Sequence, residues 1–324
     1  MTMKAIVARE FGPIDKLDYA DWPDPEATGR TVVIDAEAIG VNYPDGLLVQ
    51  GLYQSKPPTP FIPGMEMAGR VSAVGEGVTR FKVGDRVVSF TQLGAYAEKI
   101  AVDESSVVKL PDAVSAADAC ALICGYGTSH HALKQRAQLK PGETLAVLGA
   151  AGATGLAAIQ IGKIMGAKVI AVASTPEKRE IAKAAGADIT LGYENLKDTL
   201  KEATAGKGVD VGYDPVGGDA FDTLARSMAW NGRLLVIGFT SGRIPQFPVN
   251  LALVKGFSVV GVFWGTFTQK EPAAHEENMR ELVGWLLAGK LKPVIEGTYP
   301  LAEAREVLTR IHNRAATGKL ILRP

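Results

Sequence analysis

Residues 149–155 read Gly-Ala-Ala-Gly-Ala-Thr-Gly, a run of small side chains that lets a backbone come close to a bound anion. Set against G-x-G-x-x-G, the hexapeptide Ala150-Ala151-Gly152-Ala153-Thr154-Gly155 keeps the second and third glycines and puts Ala150 at the first. At such a turn Gly152 admits a pyrophosphate to the main chain, and Gly155 lets the next helix pack tightly on the preceding strand. The free N–H groups of the helix start, from Ala151 to Thr154, then face the anion. Without a ligand, the same residues make only a tight strand-to-helix turn. A second chemical signal stands about twenty residues on, where NAD-selective sites place an Asp or Glu. Here the chain reads Ala173-Ser174-Thr175-Pro176-Glu177-Lys178. With no carboxylate at Ala173 to repel it, a 2′-phosphate fits, hydrogen-bonded by Ser174 and neutralised by Lys178. Lys178 taken alone is equally a solvated helix lysine. Glu177 runs against the pattern, although a carboxylate in a first helical turn also complements the helix dipole. Together these residues point to NADPH.

The elements that must hold this chemistry follow from periodicity. Leu145–Leu148 is a short apolar run suited to a strand buried on both faces, Leu156–Met165 has helical spacing, and Lys168–Ala173 is a second, β-branched strand. Downstream the pattern alternates: helix 176–185, strand 188–191, helix 196–203, strand 209–213, helix 220–228, strand 233–238 and strand 258–263. Alternation at this spacing predicts a parallel sheet covered by helices on both faces. Residues 1–110 instead read as β-rich, with strand candidates at 5–8, 31–38, 68–74, 86–89 and 97–102 separated by proline and glycine clusters. Residues 115–140 are alanine-rich and helical. From His275 come two more helices (to Leu287 and over 301–311) and a last strand, 319–322, which do not extend the alternation. They are therefore expected to return to the first domain, giving a β-rich domain of residues 1–123 and 264–324 around a nucleotide-binding domain of 124–263.

A chain of 324 residues with 47% apolar and 22% charged side chains has room for two such cores. Its formal net charge is zero, which removes the electrostatic case for nucleic acid or an anionic membrane as main partner. The start, Met-Thr-Met-Lys-Ala-Ile-Val, reads as a strand rather than a signal-peptide core, and no run approaches eighteen apolar residues. Only Cys120 and Cys124 occur, four apart on a helix and poorly placed for a disulfide, so a reducing cytoplasmic location is expected.

Several further segments stand in a distinctive order: Gly40-Val41-Asn42-Tyr43-Pro44-Asp45, Pro63-Gly64-Met65-Glu66-Met67-Ala68-Gly69, Val83–Val87, Tyr213-Asp214-Pro215-Val216-Gly217 and Arg314-Ala315-Ala316-Thr317-Gly318-Lys319. With the glycine turn, they make the chain resemble the medium-chain dehydrogenase/reductase superfamily over essentially its whole length. The likeness is to the zinc-independent, zeta-crystallin-like quinone oxidoreductase branch. That resemblance implies a GroES-like, partly open β-barrel domain built from both chain ends, a Rossmann domain between, and a cofactor in the cleft. It also implies a homodimer through the edge of the Rossmann sheet, near 259–263. It adds Tyr193 and Arg314 as contacts of the 2′-phosphate. For the nicotinamide it implies Thr128, Phe239, and the segment Val262-Phe263-Trp264-Gly265, whose backbone would hold the carboxamide. The Phe263–Trp264 pair is otherwise ordinary packing at the domain junction.

Zinc alcohol dehydrogenases of the superfamily use Cys, His and Cys ligands, and the resemblance places these at Asn42, Met65 and Cys124. Two of the three cannot supply a soft or borderline donor, and the four-cysteine structural lobe is missing, so no zinc is expected. The neighbours His130 and His131 point in different directions on one helix and make a poor ligand pair. Without a Lewis acid, deprotonating an alcohol is difficult, whereas an electrophilic acceptor needs mainly orientation and a hydride donor.

The resemblance puts Asn42, Asp45 and Tyr53 in the active site. Asn42 would hydrogen-bond the substrate carbonyl as hydride arrives. Tyr53 would donate a proton or shape the pocket, and water is the other proton source. Asp45 is a site residue or a turn and capping carboxylate. Leu47, where related chains often carry a second Tyr, makes the pocket more apolar. The leading expectation is an NADPH-dependent quinone reductase. The alternatives are reduction of an activated alkene (an enone, alkenal or enoyl thioester, for which Lys56 and Arg243 are candidate cations) and a mainly non-enzymatic NADPH-binding role.

Overall fold

Short apolar runs broken by Pro and Gly give the first 110 residues seven strands in the computed structural model, which describes residues 1–324. These are β1 (Thr2–Val7), β2 (Asp18–Pro23), β3 (Thr31–Val41), β4 (Glu66–Val74), β5 (Arg86–Phe90), β6 (Lys99–Asp103) and β7 (Val107–Lys109). One short helix, α1 (Tyr43–Val49), follows β3 directly. The chain is then helical over 116–136, as α2 (Ala116–Ala121), a wide π turn Leu122–Tyr126, α3 (Gly127–His131) and a second π turn Ala132–Arg136.

The alternating part is β8 (Thr144–Val147), α4 (Ala153–Ile164), β9 (Lys168–Val172), α5 (Pro176–Ala184), β10 (Ile189–Leu191), α6 (Leu196–Ala203), β11 (Val209–Asp214), α7 (Gly218–Arg226) and β12 (Met228–Val236). Next come α8 (Asn250–Lys255), β13 (Ser258–Gly261), α9 (Trp264–Lys270) and α10 (Pro272–Leu287). The chain ends with β14 (Ile295–Pro300), α11 (Ala304–His312) and β15 (Lys319–Arg323).

Two compact units result: Met1–Cys124 with Pro293–Pro324, and Gly125–Lys292. In the first, strands lie in the order β14-β15-β3-β4-β5-β7, with β6 also paired to β3 and with β1 and β2 as a separate antiparallel pair. One edge of β3 serves two partners in turn: Thr31–Asp35 face β6, and Ile39–Val41 face β15. Its other edge shifts register against β4 at Val33/Ile34 and at Ala36/Ala38. Such irregularities bend a strand and increase its twist, which is how a sheet of this length curls onto itself. Ile6, Ile34, Ile39, Met67, Tyr96, Leu320 and Leu322 fill the interior.

The second unit carries a parallel sheet in the order β10-β9-β8-β11-β12-β13. Renumbered by position in this unit, that is 3-2-1-4-5-6, the doubly wound arrangement whose order reverses between β8 and β11. Leu145, Val147, Val169, Ile170, Val211 and Leu234 are fully buried, as strands covered on both faces must be.

The domain boundary differs from the expected one. Residues 264–292 belong to the second unit, because α9 and α10 cover α3. His131 stacks on Phe267 with ring centres 3.8 Å apart. Lys134 and His130 bond Glu281 at 2.7 and 3.0 Å, and Gln135 donates to Asn278 at 2.8 Å. The loss of strand–helix alternation after 263 therefore marks helices that close one face of the same domain. The return to the first unit comes at Pro293.

Candidate active site

The carboxyl ends of β8 and β11 meet at the switch point of the parallel sheet, where open α/β sheets bind ligands. The turn joining β8 to α4 is there. Gly149 has φ of +58°, a left-handed conformation that glycine takes without penalty. A Cβ on Gly155 would lie 2.5 Å from the Gly149 carbonyl oxygen and 2.9 Å from Ala150 Cα, so this glycine is demanded by helix–strand contact. A Cβ on Gly152 would meet only the Gly149 oxygen, at 3.4 Å, so the space in front of the turn is open. No side chain caps α4 at Gly152, and the N–H groups of Ala153, Thr154 and Gly155 have no partner within the helix. This is a cradle suited to a pyrophosphate. Ala151, at the turn itself, is buried.

Side chains close around this turn. The Gly149 N–H donates to the Tyr193 hydroxyl at 3.0 Å, which brings Tyr193 from beyond β10 onto the glycine run. Ser129 Oγ lies 2.8 Å from both the Thr154 carbonyl and the Tyr213 hydroxyl, tying α3 to the start of α4; Thr128 is its half-buried neighbour. At the end of β11, Asp214 accepts the Val216 and Gly217 N–H groups at 2.7 and 2.9 Å. Burial pushes its carboxyl up to about 6 against those bonds. A Cβ on Gly217 would stand 3.0 Å from the Phe239 ring, which places Phe239 on the same switch-point turn.

Ser174 is exposed at the end of β9, and Thr175 caps α5 by accepting the Lys178 N–H at 3.3 Å. Bonds to its own backbone N–H and to the Thr175 hydroxyl hold the Glu177 carboxyl low, so Glu177 acts as a first-turn capping carboxylate. Arg179 Nη1 lies 3.3 Å from where a Cβ on Gly192 would stand, next to the Glu194 carboxylate, so a cation that the sequence pattern does not single out lies near Tyr193. Phe263 is exposed. Trp264 is 4% exposed, packed on Gly127 and edge-on to His275 at 5.5 Å. The Trp264 side chain is thus a core residue, and only its backbone is left for a ligand.

In the first unit, Asn42 is the cap residue of α1, a helix that the sequence pattern does not announce. Asp45 Oδ2 accepts the Asn42 N–H at 2.8 Å and the Tyr96 hydroxyl at 2.7 Å. Burial pushes the Asp45 carboxyl up to about 7. The bonds from Tyr96 and Asn42 and the charge of Lys319 oppose that rise, and the charge of Glu66 adds to it. Its other oxygen is buried without a hydrogen bond. Tyr43 stacks on His312 at 4.4 Å, and His312 Nε2 lies 3.1 Å from the Tyr43 carbonyl, so α11 pins α1. Tyr53 is half-buried on this core. Burial first, then Cys124 and Asp45, raise its phenol. Arg314 is exposed in the turn after α11, at φ of +56°.

Behind Asn42 lies a buried ion pair. Lys319, at 2% exposure, pairs with the fully buried Glu66, and its Nζ also donates to Asn42 Oδ1 at 2.8 Å. Asn42 Nδ2 donates to Glu66 Oε1 at 3.0 Å. Burial alone would push the Lys319 ammonium down, but the Glu66 carboxylate and the Cys124 and Cys120 sulfurs hold it above the ordinary lysine value. Removing one partner of such a pair leaves an uncompensated buried charge, at a cost of about 3–5 kcal/mol.

The family model for an alcohol dehydrogenase GroES-like domain matches residues 28–112, and the model for a zinc-binding dehydrogenase matches 153–283. A quinone oxidoreductase-like protein 2 homolog of Nematostella vectensis is 38% identical over 98% of this chain and 88% of that protein. The crystal structure of a quinone oxidoreductase from Pseudomonas syringae is 36% identical, with a TM-score of 0.94 over 99% of this chain and 100% of that one. The Escherichia coli quinone oxidoreductase complexed with NADPH is 30% identical, with a TM-score of 0.93 over the same shares. The chain belongs to the zinc-independent quinone oxidoreductase branch of the medium-chain dehydrogenases/reductases.

Within that superfamily the donor set of this member does not fit a catalytic zinc. Asn42 and Met65 stand at two ligand positions, and no group of three His, Cys, Asp or Glu side chains converges anywhere in the chain. A lysine ammonium bonded to Asn42 and electrostatically coupled to Cys124 would also repel a metal ion brought there. Cys120, at the other end of the short Cys pair, points its Sγ to the Ala38 carbonyl at 3.4 Å, and burial pushes its thiol far up. His130 and His131 are held by Glu281 and Gln135 respectively.

The sequence pattern and the resemblance name the glycine turn, Asn42, Asp45 and Tyr53, and neither assigns a role to Glu66, Tyr96 or Lys319. The available signal was a charge set at the head of each of two short apolar runs, Glu66 before Met67-Ala68 and Lys319 before Leu320-Ile321-Leu322, opposite in sign.

Proposed function

We propose that this quinone oxidoreductase family member binds NADPH in the Rossmann unit and reduces quinones. The observation that carries the cofactor is the uncapped α4 start behind Gly152, with a β9 end that presents Ser174, Lys178 and Arg179 and has Ala173 where an NAD-selective site carries its carboxylate. Ala151–Gly155 would hold the pyrophosphate, Ser174, Lys178, Tyr193 and Arg314 the 2′-phosphate, and Thr128, Phe239 and the 263–264 backbone the nicotinamide end. When bound, NADPH supplies a hydride, which with one proton converts a quinone to a hydroquinone and leaves NADP+.

The residues of the first unit polarise and orient the acceptor. Asn42 Nδ2 donates to the acceptor oxygen as it gains charge, the role for which a preorganised donor is effective. Tyr53, kept protonated by its raised phenol, donates a hydrogen bond and shapes the pocket. Asp45 supports Asn42 from the helix cap. Against a CoA thioester, Arg243 is already engaged by Asp219 and Asp222 at 2.8 and 2.7 Å.

β13 ends the parallel sheet with one edge unpaired; Val259 on it and Phe263 just after it are exposed, as are Val249, Leu253 and Val254 in the segment that precedes it. An open edge flanked by apolar side chains fits a second copy of the chain across a two-fold axis. Both cysteines are free thiols, in keeping with a cytoplasmic protein, and no helix is long and apolar enough to cross a membrane.

The test follows NADPH absorbance against matched quinones, enones and enoyl thioesters, before and after exhaustive chelation. Turnover confined to quinones and indifferent to the chelator is expected. Preference for an activated alkene would replace the acceptor. Tight NADPH binding without turnover on any acceptor would favour the binding-only role.

A further inference from the structure

Lys319 is the only lysine or arginine that the fold buries, and it is spent on a side-chain amide and a carboxylate. The three groups come from one place in the sheet. Leu320 pairs with Val41, which sets Lys319 beside Asn42, and Glu66 pairs with Gly40 on the opposite edge of β3. A Cβ at position 40 would overlap the Glu66 carboxylate, so Gly40 makes the room the acid occupies. The arrangement is therefore built on three adjacent strands, the rigid support a preorganised site requires.

We propose that Lys319 and Glu66 are positioning residues that lock the Asn42 carboxamide in one orientation, with Nδ2 presented as a donor to the oxygen of the acceptor. This rests on the quinone-reductase reading. An ammonium can only donate and a carboxylate can only accept, so the amide must turn Oδ1 to Lys319 and Nδ2 to Glu66. A flipped amide would set its NH2 against the ammonium and its oxygen against the carboxylate. One of the two N–H bonds of Nδ2 is committed to Glu66, and the other is available for substrate. The contact with Lys319 draws electron density toward Oδ1 and strengthens that donor. The chain thereby keeps a fixed cation against Asn42, one of the three positions at which the resemblance places a zinc ligand in metal-dependent members of the superfamily.

The test is the charge-neutral double variant Glu66→Gln/Lys319→Met, which removes both poles together and leaves no unpaired buried charge. Its first readout needs no turnover: hydrogen exchange of the Asn42 side-chain NH2, followed by 15N NMR and assigned by its loss in Asn42→Ala. Exchange should be at least about tenfold faster in the double variant, because the amide is released from its charged partners. The second is steady-state kinetics. Removing a preorganised donor costs roughly 100-fold or more, so kcat/KM for a quinone should fall at least about tenfold while the NADPH Kd stays within about twofold. Adding Asn42→Ala to the double variant should cost much less than it costs the wild type.

Unchanged amide exchange, or a full Asn42→Ala penalty in the double variant, would overturn the lock. A wild type inactive on quinones would overturn the functional reading, while the exchange readout still decides the lock. Should the double variant not fold, the wild type still decides: an Asn42 side-chain NH2 that exchanges no more slowly than that of the exposed Asn231 would refute the proposal.

Discussion

Replacing Asp45 by Asn keeps the side chain's shape and an acceptor oxygen for Tyr96 and the Asn42 N–H, while deleting a charge. The ordinary value for an Asp is 3.8, and burial holds Asp45 at about 7. Below pH 3.8 the carboxyl is protonated in both the folded and unfolded chain. Between the two values the unfolded chain has released a proton that the folded one keeps, so stability falls as pH rises. Above about 7 both forms are ionised and the effect is constant. Each unit of difference is worth about 1.4 kcal/mol, so the full gap amounts to about 4 kcal/mol, of which about 3 falls between pH 5 and pH 7. The Asp45→Asn variant lacks this slope. For a folding unit of this size, 1 kcal/mol moves the melting temperature by about 2–4 °C. Thermal unfolding followed by circular dichroism at pH 5 and pH 7.5 should therefore show the variant gaining roughly 6–12 °C on the wild type between the two conditions. A difference that is the same at both pH values would mean that Asp45 is ionised throughout, and would refute the reasoning.

Three further outcomes follow from the geometry. Lys178→Ala should weaken NADPH binding about tenfold, the worth of one charge-assisted bond, and leave NADH within twofold; equal losses in a fluorescence titration would remove Lys178 from the 2′-phosphate site. Gly155→Val forces a Cβ against the Gly149 carbonyl at 2.5 Å, so it should cost about 1–3 kcal/mol in urea unfolding and abolish NADPH binding. An unshifted midpoint would deny that helix–strand contact fixes this glycine. Leu253→Asp with Val254→Asp places two charges among the exposed apolar side chains of α8 and should convert a dimer to a monomer in sedimentation velocity. A wild type that sediments as a monomer, or a variant that stays dimeric, would exclude that interface.

The parallel sheet and its glycine turn were legible because their causes are local. Main-chain proximity to an anion demands small residues at fixed spacing, and buried parallel strands must be continuously apolar over a few residues. The pairing of Asn42, Asp45 and Tyr53 came with the family's motif order rather than from any property of the residues alone. Two things were hidden. The helices after Phe263 carry apolar faces that fit either unit, and only the seating of Phe267, Asn278 and Glu281 on α3 and the π turn after it assigns them to the nucleotide-binding side. The polar stretch Tyr43-Pro44-Asp45 reads as a loop, yet it begins a helix because Asp45 and His312 satisfy and pin its first turn.

By itself the sequence determined a β-rich unit, a doubly wound unit and a place for a phosphate, since turn chemistry and periodicity act over a handful of neighbouring residues. Tertiary structure alone decided what stands behind the Asn42 amide. Lys319 and Asn42 are 277 positions apart, and a buried lysine is tolerable only where strand register sets a carboxylate against it. Register is a property of the assembled sheet, so the cation at the centre of this site exists only once β15, β3 and β4 lie side by side.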